Sequence, residues 1–475
     1  MSELDSVVVD DLAELGELLR SAPEAASLRP IGLREVVRGE GAVRSLPDVL
    51  HRRGLEDGTS LVVLSDSTPK RYGDDDVLDV VLNVLNAHFR TSLQLVTTKS
   101  SGGAVLADED TVATAIGLVR HDEPSGLVSV GSGTVVDIAK VVAGALSLTH
   151  VVVQSAASVN GFADDQSVLL INGAKRTTPS RWPDALVIDP LVVAHAPLGM
   201  TRSGLGDQLS MFTAAADWYL ASAVEFDTSY SPTLVEMMRS DLDALMSASS
   251  DLGQGGPRAV TVLANCLTRG GLAMGSAGRT APSSGMEHTI SHLLEMHADA
   301  VGVSSASHGS QVGVASVFAA LAWQRFLRRL AEGSVTIDEQ NVPTRRRVLE
   351  AFAHLDSSGA TALECWNLYQ RKSAWILEHL DGLRRTVHDW SNQTDAIDRL
   401  LKPAEVVATL LRDARAPVAF HELDPAPDAS VVVWAVTNCH LMRDRFSIID
   451  LADLIGAWRP DDVAAVLAEL KELAR

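Results

Sequence analysis

Over the first 195 residues or so, apolar and polar positions follow two alternating periods. Leu61 to Leu64 is a short apolar run ending in Ser65-Asp66, and a turn follows through Pro69 and Gly73. Val77, Val80, Val81, Val84 and Leu85 then recur at helical spacing. Leu93 to Val96 reads as a strand and Thr111 to Val119 as a helix. Leu127 to Val130 reads as a strand that runs into Gly131-Ser132-Gly133-Thr134, with a helix through Ile138 and Val142, and Val151 to Val153 as a further strand. Strands alternating with helices predict βαβ units and a mostly parallel sheet.

Beyond about residue 200 helical periodicity takes over. Met211 to Tyr219, Val235 to Met246, Val260 to Leu267, His288 to Met296, Val312 to Leu327, Ala362 to Leu380 and Val463 to Leu473 all read as helices, and only Val431 to Val433 reads as a strand. Residues 331–360 and 421–430 read as loops. The expected division is an α/β domain over residues 1–197 and an all-helical domain over 198–475, with the boundary near Pro197.

Charge narrows the partners. Against 40 Lys plus Arg stand 61 Asp plus Glu, a formal net charge of −21. That balance argues against a broad nucleic-acid face, which needs a clustered basic stripe, but a small anion needs only a few local cations. Cys266, Cys365 and Cys439 are too few and too far apart for a disulfide framework or a cysteine zinc cluster. The acidic amino terminus lacks the basic start of a signal peptide, and Asp137 and Lys140 interrupt the apolar stretch from Leu127 to Val153. The expectation is a cytoplasmic chain with no membrane span.

Two constellations carry chemistry. Gly131-Ser132-Gly133-Thr134 lies where a strand feeds a helix, and glycines there let backbone approach a pyrophosphate at a helix amino terminus. Val136 stands where the dinucleotide fingerprint has its third glycine, so the turn reads equally as a phosphate cradle or an ordinary tight connection. Asp66, ending the first of these strands, suits an adenine ribose or a simple cap. The second constellation is Glu287-His288-Thr289-Ile290-Ser291-His292, with histidines at i and i+4 and Glu295 on the same face. His308-Gly309 follows twenty residues after His288, and the Gly204-Leu205-Gly206-Asp207 turn puts Asp207 at the expected start of a helix. Two histidines and a carboxylate suit a catalytic divalent metal with open positions for substrate, although an i,i+4 histidine pair and a capping Asp also occur without metal. His150, His195, His354, His421 and His440 have no such companions and read as structural.

In family order along nearly the whole chain, these segments resemble the metal-dependent glycerol-1-phosphate dehydrogenases, within the superfamily of iron-containing alcohol dehydrogenases, glycerol dehydrogenases and dehydroquinate synthases. The matching segments are Gly131 to Thr134 with Asp137 and Lys140, Gln154-Ser155-Ala156-Ala157-Ser158, Pro197 through Asp207 to Asp217-Trp218, Ser284-Gly285-Met286-Glu287-His288 with Ser291-His292, His308-Gly309, and Arg443-Asp444-Arg445-Phe446. The resemblance implies a Rossmann-like α/β domain with a parallel sheet and an all-α carboxy-terminal domain, as in dehydroquinate synthase. It implies Asp207, His288 and His308 as metal ligands, with His292 beside the site. It implies that Gly131, Gly133, Thr134 and Asp137 hold the pyrophosphate region of NAD or NADP, with Ser155 and Ser158 near the nicotinamide half and Asp66, read from its strand end, at the adenine ribose. Lys175, after an expected hairpin at Val168 to Asn172, is the leading candidate for a substrate phosphate, ahead of Arg176, Arg202, Arg443 and Arg445.

Two positions depart from the family pattern. Asn160 replaces the Asp that helps hold the substrate hydroxyl, and Met211 replaces a polar residue four positions after the metal Asp. Asn still hydrogen-bonds a hydroxyl but carries no charge. The implied reaction interconverts dihydroxyacetone phosphate and sn-glycerol 1-phosphate, with His292, Asn160 and Lys175 acting on the substrate. Zinc is the first expectation for the metal, because it has no redox side chemistry, and nickel or iron(II) fit the same ligands. Asp66 disfavours the 2′-phosphate of NADP, whereas Lys70 and Arg71 favour it. The cofactor is expected between the domains at the carboxyl ends of the strands, and helical faces left unaccounted for leave room for a homo-oligomer. The alternatives are a dehydrogenase of the same fold acting on another polyol or alcohol, a dehydroquinate-synthase-like cyclase, and a non-catalytic nucleotide- and metal-binding protein.

Overall fold

The computed structural model describes residues 7–97, 105–171, 174–333 and 335–475. It divides into two compact units, Met1–Gly204 with Thr233–Arg279, and Leu205–Pro232 with Thr280–Arg475. The first unit thus runs past Pro197 and takes in the helices of Thr233–Arg279.

The first unit is built on a seven-stranded sheet. Its strands run in the order Val8–Asp11, Glu35–Arg38, Ala185–Ile188, Thr149–Gln154, Gly126–Gly131, Ser60–Asp66 and Arg90–Val96. Six are parallel, and Val8–Asp11 pairs antiparallel at the edge. The central strands are near-continuous apolar runs because both faces are covered. Leu61 and Val63 point to the face closed by the helices Leu46–Arg52 and Val77–Asn86, together with Val128, Val130, Val151 and Val153. Val62 and Leu64 point to the other face, closed by the helices Glu109–His121 and Gly133–Leu146 through Val119, Ile138 and Val142. This two-sided burial is the α/β arrangement expected from the alternating periods. The strands Glu35–Arg38 and Ala185–Ile188 had no clear signal, being only four residues each. The expected hairpin is present, with Gln166–Ile171 pairing antiparallel to Ala174–Pro179. Asn172, the end of the expected Val168 to Asn172 segment, lies outside the described residues.

Among the described residues the second unit is helical. Its core includes the helices Met211–Ala223, Met286–Val301 and His308–Ala331, with Phe212, Phe318 and Trp323 fully buried. Three readings of the chain need correction. Val431 to Val433 is not a strand but part of the helix Ala429–Asn438. Its buried residues Val432, Ala435 and Val436 fall at i, i+3 and i+4, whereas Val433 is exposed. Residues 331–360 are not all loop, since Arg345–Phe352 is a helix that buries Val348 and Phe352, one turn apart. The helix expected at Val235 to Met246 is two helices, Pro232–Arg239 and Leu242–Leu252, interrupted at Ser240-Asp241. The last two belong to the first unit. No helix among the described residues is long and apolar enough to cross a membrane, and all three cysteines are buried and form no disulfide with one another.

Candidate metal centre and glycine turn

The second unit gathers the histidine and carboxylate set. Asp207 is not at a helix start, as expected from its glycines, but in the last turn of the helix Leu198–Leu209. The glycines serve close packing instead of a turn. A β-carbon on Gly206 would stand 2.1 Å from the carbonyl oxygen of Gly309, so only glycine lets this helix meet the start of His308–Ala331. That approach sets Asp207 beside His308. His288 comes from the first turn of Met286–Val301.

The ligand atoms of Asp207, His288 and His308 all lie within 4.8 Å of one another. Asp207 Oδ1 and His288 Nε2 are 3.3 Å apart, and ligand atoms of a tetrahedral zinc site stand about 3.3 Å apart, given metal–ligand bonds of about 2.0–2.1 Å. Asp207 is 2% exposed, a carboxylate whose burial needs a cation opposite it. The donor set therefore fits a divalent metal of borderline softness.

Carboxylates stand behind both imidazoles. His288 Nδ1 faces Glu287 Oε1 at 3.1 Å, and Glu287 is itself held by Thr213 Oγ1, which donates to Oε2 at 2.9 Å. His308 Nδ1 faces Glu295 Oε1 at 3.3 Å and the Ser291 hydroxyl at 3.1 Å. A carboxylate on the far ring nitrogen fixes the tautomer and leaves Nε2 as the ligand atom. Burial works against a charged His288, but Asp207 and Glu287 outweigh it and raise the imidazole to about 9, which marks how strongly this pocket attracts positive charge. His292 lies on the same helix with its ring 5.3 Å from that of His308 and its Nδ1 3.5 Å from Glu295 Oε2. Burial and the charge of Arg443 keep His292 neutral, with its pKa well below the usual imidazole range. Met211 is buried and accepts from Gln208 Nε2 through its sulfur at 3.2 Å.

The carboxy-terminal motif divides in two. Arg445 donates to Ser284 Oγ at 2.9 Å and Thr280 Oγ1 at 2.7 Å, which anchors the segment leading into His288. Arg443 is the member whose charge reaches His292.

In the first unit, Gly131 ends a strand and Gly133 begins the helix Gly133–Leu146, with Thr134 in its first turn. A β-carbon on Gly131 would stand 2.4 Å from Val135 Cβ, so the helix could not start so close to the strand end. The first-turn amide groups at that start are suited to a phosphate. Asp137 faces Lys140 at 3.5 Å, inside a cluster where the fully buried Lys140 also reaches Asp164 Oδ1 at 2.6 Å and the carbonyl of Gly161 at 2.9 Å. Burial pushes Asp137 up to about 7, with Lys140 opposing. Lys140 thereby pins the end of the segment that carries Ser155, Ser158 and Asn160. Ser155 N donates to Gly131 O at 3.0 Å, and Ser158 and Asn160 are 6% and 9% exposed. A β-carbon on Gly271 would stand 2.4 Å from the carbonyl oxygen of Asn160, so the helix Pro257–Ala277 closes down on this segment. Asp66 pairs with Lys70 and accepts from Thr68 Oγ1 at 2.7 Å. Lys175 sits opposite Leu170 in the hairpin and Arg176 opposite Leu169, while Arg202 donates to Gly253 O at 3.2 Å. The side chain of Lys175 lies outside the described residues. Glu287 and Glu295 had no assigned role in the sequence reading, although Glu295 at i+3 from His292 shares its helix face.

Residues 37–197 match the family described as iron-containing alcohol dehydrogenase. A glycerol-1-phosphate dehydrogenase [NAD(P)+] of Bacillus subtilis is 29% identical over 61% of this chain and 71% of its own length. One from Methanosarcina barkeri is 27% identical over 68% of this chain and 87% of its own. Among solved structures, a probable glycerol dehydrogenase from Sinorhizobium meliloti matches 94% of this chain and 99% of its own with a TM-score of 0.57 at 16% identity, a likeness of fold. Over residues 37–197 the chain is therefore similar to the iron-containing alcohol dehydrogenases, over more of its length it is similar to glycerol-1-phosphate dehydrogenases, and it is an oxidoreductase.

Proposed function

We propose that this chain reduces dihydroxyacetone phosphate to sn-glycerol 1-phosphate with NADH or NADPH, using one divalent metal held by Asp207, His288 and His308. The observation that carries the reading is the Asp207–His288–His308 set, with Asp207 and His288 buried and a carboxylate behind each imidazole. The names of the curated relatives supply the substrate. When bound, the metal would polarise the ketone carbonyl and stabilise the developing alkoxide, with zinc, nickel and iron(II) all compatible with the donors. Glu287 and Glu295 orient the two imidazoles so that their Nε2 atoms converge with the Asp207 carboxylate. His292, kept neutral, offers one N–H and one acceptor nitrogen beside the site and relays the proton that the product hydroxyl gains. Arg443 and Lys175 are the cations assigned to the substrate phosphate. Asn160, in place of a carboxylate, hydrogen-bonds a substrate hydroxyl without adding negative charge near that phosphate. The first turn of Gly133–Leu146 receives the cofactor pyrophosphate on its amide groups, and Ser155 and Ser158 line the nicotinamide half. The pairing of Asp66 with Lys70 reduces the penalty that Asp66 alone would set against a 2′-phosphate, so both cofactors are accepted.

The test is His288→Ala in metal-reconstituted protein. The variant is expected to lose both the bound ion and turnover of the phosphorylated ketone, and normal activity in it would refute the proposal.

A further inference from the structure

In the first unit, well separated in sequence from Asp207, His288 and His308, another pair of histidines meets a carboxylate. His51 Nε2 stands 3.0 Å from Asp57 Oδ1, and His88 Nδ1 stands 3.1 Å from the same oxygen. The three ligand atoms all lie within 4.8 Å of one another. We propose that His51, Asp57 and His88 form a surface site for a divalent transition-metal ion, distinct from the Asp207 centre and independent of the dehydrogenase reading.

The edges of 3.0 and 3.1 Å need to open by only a few tenths of an ångström to reach the spacing of about 3.3 Å set by zinc–nitrogen and zinc–oxygen bonds. The two rings stand at 84° with centroids 5.6 Å apart, so they do not stack and each presents a nitrogen to the shared oxygen. Both also lie against the buried Phe89, with centroids at 5.4 Å for His51 and 6.3 Å for His88, which limits their swing. The backbone is set as well. His51 lies in the last turn of Leu46–Arg52. Asp57 lies in a turn bounded by Gly54 and Gly58, both at positive φ, which glycine adopts without strain. Gly58 N donates to His88 O at 2.7 Å, tying the Asp57 turn to the His88 segment.

Two imidazoles and one carboxylate select zinc, nickel, cobalt(II) or copper(II) over magnesium and calcium, which prefer all-oxygen shells. The side chains are 36%, 70% and 41% exposed, so water completes the coordination and the ion enters directly from solvent. The chemistry assigned is binding. An ion here cross-links a helix end, a turn and a strand approach, and stabilises the α/β unit through linkage.

The test is titration of metal-free protein with zinc in competition with a chromophoric chelator, at micromolar free zinc. His51→Ala/His88→Ala is expected to bind one ion fewer per chain than the unaltered protein while keeping its dehydrogenase turnover. Asp57→Asn, which preserves both rings, is expected to lose the same ion. His288→Ala is expected to retain it, which separates this site from the catalytic one. Equal stoichiometry in the unaltered protein and in a folded His51→Ala/His88→Ala variant would overturn the proposal.

Discussion

Glu287 and His288 are neighbours in the chain and partners in space, with Glu287 Oε1 3.1 Å from His288 Nδ1. The same carboxylate accepts from Gly285 N and Thr213 Oγ1, so the acceptor is rigid before any ion arrives. Glu287→Gln keeps the size and removes the charge. Metal affinity is expected to fall roughly 10- to 100-fold, the range seen when groups behind a ligating imidazole are altered. Chelator competition measures it, and unchanged affinity in a folded variant would show that Glu287 only supports the helix.

The position of Asp207 depends on a missing side chain. Gly206→Ala drives a β-carbon to within 2.1 Å of Gly309 O, a backbone atom that cannot turn aside. Overpacking of this kind costs about 1–3 kcal/mol. Urea unfolding is expected to shift by that amount, and bound metal to fall with it. Stability lost without loss of metal would mean that the helix Leu198–Leu209 adjusts and carries Asp207 along.

Some of this was legible from the chain and some was not. The strand Ser60–Asp66 and the helix Val77–Asn86 showed plainly, because each buries a regular set of valines and leucines against one core. The run Val431 to Val433 misled because three β-branched residues favour a strand when taken alone, while burial at Val432, Ala435 and Val436 makes them one face of a helix. The glycines before Asp207 looked like a turn because their purpose, close approach of Gly204 to Ala157 and of Gly206 to Gly309, is tertiary and leaves no local mark. The convergence of Asp207, His288 and His308 was legible only through the order of the family segments, because the i,i+4 spacing pairs His288 with His292 instead. The His51–Asp57–His88 set was not, because its members come from three segments with no motif between them.

Arg443 is a cation whose charge reaches His292, beside the Asp207–His288–His308 set. If it holds the substrate phosphate, Arg443→Gln is expected to raise KM for the phosphorylated ketone about 10- to 100-fold, the loss of one charge-assisted hydrogen bond. Turnover of unphosphorylated dihydroxyacetone is expected to stay the same. An equal loss on both ketones would assign Arg443 to the metal surroundings instead.

His150 gives the α/β unit a pH dependence. It is fully buried, with Nε2 2.8 Å from Ser129 Oγ, and burial, aided by Lys140 and Arg181, pushes it down to about 3. The unfolded chain takes up a proton at about 6.5, the native chain only near 3. Its stabilising contribution is therefore full above pH 6.5 and falls between pH 6.5 and 3, by about 1.4 kcal/mol per pH unit for one proton. Urea midpoints for His150→Gln are expected to decline less steeply over that window than those of the unaltered protein. Parallel slopes would show that His150 takes up its proton without unfolding.

The central claim is tested most directly by following NADH and NADPH oxidation by metal-reconstituted protein, with dihydroxyacetone phosphate and dihydroxyacetone in parallel. The account predicts metal-dependent turnover that strongly favours the phosphorylated ketone, with sn-glycerol 1-phosphate as product. Preference for the unphosphorylated ketone, or no turnover of either by protein that binds both metal and nucleotide, would contradict it.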